Sequence, residues 1–109
     1  MAPDLAARKV IVAAYCYYVL DAPVMSDGTY DELSKIAADG WDELDPVRRW
    51  CLGSPEDTRA TGSHIRFTAL AVSAARAEHI AYYRRPPDKP PPETWLQRED
   101  GLRYVTTAH

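Results

Sequence analysis

The chain has 109 residues, enough for one domain with one core and too few for an enzyme of several domains. Its net charge is −3, with acids and bases interspersed, so it lacks the electrostatic footprint of nonspecific nucleic-acid or anionic-membrane binding, and no nucleic-acid partner is expected. Its two cysteines, Cys16 and Cys51, each stand beside aromatic residues, which predicts buried reduced thiols and no disulfide framework.

The first ten residues, MAPDLAARKV, include an acid and no long apolar run, so neither a signal peptide nor a membrane span is predicted. The opening methionine reads as the start of a short, free-standing cytoplasmic protein. From Asp4 to Leu20 the apolar residues Leu5, Val10, Ile11, Ala14, Tyr15, Tyr18 and Val19 recur at three- and four-residue spacings, predicting an amphipathic helix. Pro23 breaks it, and Ser26 then caps a second helix, Asp27 to Asp39, that Gly40 ends as a C′ residue.

Asp45-Pro46 starts a short helix to Leu52 that Gly53 closes, and Ser54-Pro55 repeats the device. Ser63 is read as the cap of a long helix from His64 to about Tyr83, whose many alanines suit close packing against another helix. The run RRPPDKPPP, Arg84 to Pro92, cannot be helical and predicts an extended linker. After it, Asp100-Gly101 supplies the turn of a hairpin with Trp95, Leu96, Leu102, Tyr104 and Val105 as strand residues. Two strands alone are marginal in water, so the hairpin must dock through Trp95 and Tyr104, and the reach of the arm favours a second copy of the chain. The expected fold is mainly α: a small helical domain over residues 1–85 built on an antiparallel helix pair, a proline-rich linker over 86–92, and a C-terminal β-hairpin segment over 93–109.

The stretch YYVLDAPVMSDGTYDEL, Tyr17 to Leu33, carries the most information. Asp27, Tyr30 and Asp31 stand at i, i+3 and i+4, on one face near a helix start, and Tyr17 and Tyr18 end the helix before it. A tyrosine face attracts a cationic ring by about 0.5 to 2 kcal/mol, and carboxylates suit sugar hydroxyls. The structural alternative for each residue alone is core packing for the tyrosines and stabilisation of a helix start for the aspartates.

This stretch closely resembles the N-terminal Ia domain of bacterial NAD-dependent DNA ligases, with its pattern Tyr-(His/Tyr)-x-x-Asp-x-Pro-x-(Ile/Val)-(Ser/Pro)-Asp-x-x-Tyr-Asp-x-Leu. Met25 departs from the usual β-branched residue, and Gly28 from the usual small helix former. The resemblance implies a helical cap that receives the nicotinamide mononucleotide (NMN) half of NAD, with Tyr17, Tyr18, Asp27, Tyr30 and Asp31 as contacts to the nicotinamide ring and its ribose. The segment SPEDTRATG, Ser54 to Gly62, is faintly similar to the Ser-Pro segment that follows the cap in those ligases. The bias to Ala, Arg, Asp and Pro suggests a GC-rich genome, and a detached ligase cap would suit a bacteriophage or mobile element.

Arg98-Glu99-Asp100-Gly101 invites comparison with the ligases' Lys-x-Asp-Gly motif, but the reacting lysine is absent. A guanidinium stays protonated and cannot form the phosphoramide, so no self-adenylation is expected. His64, His79 and His109 have no zinc-ligand spacing with the cysteines and read as structural or surface residues, with no metal site. Arg48, Arg49, Arg59 and Arg66 are candidates for a basic patch that meets a phosphate of the ligand or a nucleic-acid backbone, against the default of separate solvated arginines. The leading expectation is a non-catalytic protein that binds NMN or the NMN half of NAD. The alternative is a protein-interaction module with a vestigial pocket, whose alanine-rich helix, proline arm and hairpin meet a host protein or form a homodimer. An enzyme using Asp27 or Asp31 as a base ranks last, because no nucleophile, metal or suitably placed second carboxylate is evident.

Overall fold

The computed structural model describes residues 1–107, so His109 and the end of the C-terminal segment lie outside the described residues. The protein is mainly α, with five α-helices and a small antiparallel sheet among the described residues. Helix α1 (Pro3–Ala14) begins with Pro3 at its first position, where no amide is needed, and Asp4 in its first turn. The Asp4 carboxylate accepts the Asp45 amide at 2.9 Å and pairs with Arg48 at 2.8 Å, fastening this helix start to that of α3 (Pro46–Leu52).

The predicted α-helix through Leu20 is corrected in its last turn. Residues Tyr15–Val19 form a π-helical turn, in which the Leu20 amide reaches the Tyr15 carbonyl at 3.1 Å. The wider turn buries Tyr15 and Cys16 together and leaves Tyr17 and Tyr18 49% and 39% exposed. At α-helical spacing Tyr18 would lie on the stripe of Ala14 and Tyr15; the widened turn moves it to the surface. Asp21 then adopts a left-handed conformation, φ 53°, that ends the helix.

Helix α2 (Asp27–Asp39) starts where Ser26 predicts, its hydroxyl accepting the Thr29 amide at 3.2 Å. Gly40 ends it with φ −102°, not the left-handed value of a C′ glycine; here glycine answers a close approach, because a Cβ would collide with the Pro3 ring. The end of α2 thus abuts the start of α1, which makes the two helices the expected antiparallel pair. Asp45 and Ser54 cap α3 and α4 (Pro55–Ala60) as their Asp-Pro and Ser-Pro sequences predict, and Gly53, φ 90°, turns the chain between them.

The long helix predicted from His64, capped by Ser63, begins five residues later. Arg66–Thr68 form strand β1, and the Thr68 hydroxyl caps α5 (Ala69–Tyr83) by accepting the Ala71 amide at 3.1 Å. The hairpin explains this difference: its second strand, β3 (Arg103–Thr106), pairs with β1 as well as with β2 (Leu96–Gln97), giving the order β1-β3-β2. Phe67 opposes Val105 and is fully buried, its ring edge-on to Tyr15 at 5.1 Å between centroids. The hairpin therefore docks on its own chain. Tyr104 meets Trp50 edge-on at 4.8 Å, and the guanidinium carbons of Arg66 and Arg98 lie 4.2 and 4.8 Å from the Trp50 ring centre. The proline-rich segment is non-helical as predicted but folds back along α5, where Arg76 donates to the Lys89 carbonyl at 2.8 Å.

Candidate functional site

The π-turn, the start of α2 and the end of α4 enclose a cavity of about 290 Å³. All five residues singled out in the sequence line it: Tyr17 and Tyr18 on one side, Asp27, Tyr30 and Asp31 on the other. Their convergence follows from the antiparallel pair, since the π-turn that continues α1 faces the first turn of α2. The Tyr17 and Tyr18 rings meet edge-on at 4.9 Å between centroids. Neither Asp27 nor Asp31 is engaged in an ion pair among the described residues.

Tyr30 differs from the other two tyrosines. Its hydroxyl is buried and, like the Oγ of Ser34 one turn on, lacks a hydrogen-bond partner among the described residues. Burial holds the phenol far above the usual tyrosine range, and the nearby Tyr18 adds to the rise. Ser34 lies close enough to temper this shift without reaching hydrogen-bond geometry. A protonated phenol and a serine hydroxyl, two buried polar groups without partners among the described residues, therefore stand behind this wall.

The far wall comes from the segment Ser54 to Gly62. Thr58, Arg59 and Thr61 line the cavity, so the end of SPEDTRATG lies against it. The Tyr18 and Thr61 hydroxyls are 3.2 Å apart, and Arg59 pairs with Asp39 at 2.7 Å. Gly62 lets this wall close, because a Cβ there would collide with the Tyr30 hydroxyl and lie 3.0 Å from the Tyr18 ring. Ser34, Thr61 and Gly62 were absent from the sequence-based site, and the only signal for the last two was the spacing that ends SPEDTRATG in Gly. The Tyr83 hydroxyl donates to the Pro23 carbonyl and pins the cavity lip to α5.

The four candidate arginines do not assemble into a patch. Arg48 is held by Asp4, Arg49 reaches the Asp42 carbonyl, Arg66 binds the Trp50 carbonyl, and Arg59 alone lines the cavity. Arg98 pairs with Asp100 in the hairpin turn. His64 bonds the Leu52 carbonyl at 2.6 Å and His79 the Arg85 carbonyl at 3.1 Å. No cluster of three metal-ligating side chains occurs among the described residues, and no described helix is long and apolar enough to cross a membrane. Compared with known proteins, the chain matches no family, no curated protein and no solved structure.

Proposed function

We propose that this chain is a non-catalytic binding protein for nicotinamide mononucleotide, or for that half of NAD, in the manner its resemblance to the ligase Ia domain implies. The observation that carries the reading is the convergence of Tyr17, Tyr18, Asp27, Tyr30 and Asp31 on one cavity. A pyridinium ring stacks on a tyrosine face, the two carboxylates accept from ribose hydroxyls, and the buried Tyr30 and Ser34 hydroxyls gain partners. Arg59 is the cation available to the 5′-phosphate, extending its pair with Asp39. The cavity volume of about 290 Å³ lies just below the range for small-molecule sites, about 300 to 1,000 Å³, which suits a mononucleotide better than a whole dinucleotide.

Calorimetric titration with NMN, NAD and AMP tests the reading. NMN and NAD bind and AMP does not. Equal binding of AMP, or no heat with either nicotinamide compound, overturns it.

A further inference from the structure

Helix α5 carries apolar residues on two opposite sides, with Ser73, Arg76 and Glu78 between them. Val72, Ala75 and His79 form its buried side, and the opposite side leaves Leu70, Ala74, Ala77 and Ala81 exposed at four- and three-residue spacings. Leu70 is 81% exposed. A polar outer face is the ordinary pattern of a surface helix, and this second apolar side departs from it. Beside Leu70 and Ala74 a groove of about 330 Å³ runs between α5 and α1, deep enough to reach Ile11 and Cys51, both buried.

Charge at the groove runs against that of the chain. The whole sequence has 16 acids to 13 bases, yet Arg8, Lys9 and Arg48 line the groove against the single acid Glu78. Asp4 neutralises Arg48, whereas Arg8 and Lys9 reach no acid within ion-pair distance among the described residues. We propose that this face receives an amphipathic helix of a partner protein, with one large apolar side chain entering the groove above Cys51 and acidic residues flanking it beside Arg8 and Lys9. The alanines permit close approach, with helix axes about 8 to 10 Å apart. The pattern is that of a helix anchored in a groove by a few side chains. A second copy fits the charges poorly, because a two-fold interface sets this positive rim against itself. The proposal is independent of the nucleotide reading, since the groove and the cavity share only Val24 and Met25 as lining residues.

The test uses a displayed library of helical peptides with Leu fixed at i, i+3, i+4 and i+7 and random flanking positions. Selection on the full chain enriches Asp and Glu at the flanks, relative to selection on Ala74→Glu, which blocks the groove from an exposed position. The chosen peptide loses at least tenfold in affinity for Arg8→Glu/Lys9→Glu and binds more weakly as salt rises. Circular dichroism verifies that Ala74→Glu folds, and Leu70→Glu replaces it if it does not. The inference is overturned by no enrichment over the blocked variant, by basic or uncharged flanks, or by light scattering that shows a dimer abolished by either blocking substitution.

Discussion

Gly62 lies so close to Tyr30 that a side chain at position 62 and the Tyr30 phenol cannot both keep their places. The two residues are 32 apart in sequence and on opposite walls of the cavity, so their approach sets how tightly it closes. Gly62→Ala forces one wall outward. Overpacking of this kind costs about 1 to 3 kcal/mol, a fall in melting temperature of about 5 °C or more for a domain of this size. NMN affinity should fall with it, and a variant that melts and binds like the parent would show that the wall yields freely.

Tyr30 and Asp31 separate stability from binding. A buried hydroxyl without a partner costs about 1 to 3 kcal/mol, so Tyr30→Phe should melt at or above the parent temperature while binding NMN less tightly. Asp31 is exposed, and Asp31→Ala should leave the helical circular dichroism intact. Loss of a charged acceptor corresponds to about 1.5 to 3 kcal/mol, roughly tenfold to over a hundredfold in affinity. Destabilisation by Tyr30→Phe, with binding unchanged in both variants, would make Tyr30 a core residue and remove Asp31 from the site.

Arg59 should distinguish the phosphorylated ligand from the bare nucleoside. Arg59→Gln is expected to weaken NMN about tenfold, a charge-assisted hydrogen bond's worth, and to leave nicotinamide riboside unchanged. Calorimetry with both ligands decides the point, and equal losses for the two would place Arg59 in a structural role through Asp39.

Much of the candidate site's placement was legible because its residues sit on short-range signals: Ser26 caps α2, Pro23 breaks the chain before it, and a three- and four-residue spacing fixes which side chains share a face. The second wall was not, because Thr61 and Gly62 reach Tyr18 and Tyr30 by tertiary packing alone. The error at His64 to Thr68 has the same origin. Ile65 and Phe67 alternate like strand residues, but three residues propagate a strand only when a partner arrives, and that partner, β3, lies nearly 40 residues on. The π-turn is likewise a tertiary result, since both Tyr15 and Cys16 are drawn into the core.

Alkaline pH should weaken the fold through its thiols. Burial raises Cys16 and Cys51 from 9.0 to about 11. Between these values the unfolded chain loses the thiol protons and the folded chain keeps them, so stability is full below pH 9 and falls as pH rises toward about 11. Each thiol contributes a slope of about 1.4 kcal/mol per pH unit inside that window. Urea unfolding across it measures the slope, and Cys51→Ala should reduce it; a flat profile would mean that the thiols titrate alike in both states.

Removal of all residues after Arg85 tests what the hairpin does for the fold. Strand β1 would lose its partner β3, Phe67 its cross-strand neighbour Val105, and Trp50 its contacts with Tyr104 and Arg98. An aromatic pair contributes about 0.5 to 1.5 kcal/mol and an exposed cation–π contact about 0.5 to 1, so with the buried area the loss is on the order of 3 kcal/mol. The shortened chain should melt well below the full one, while the two show the same association state by light scattering, because the segment docks on its own helices. A change from dimer to monomer with unchanged melting would assign the hairpin to an intermolecular contact instead.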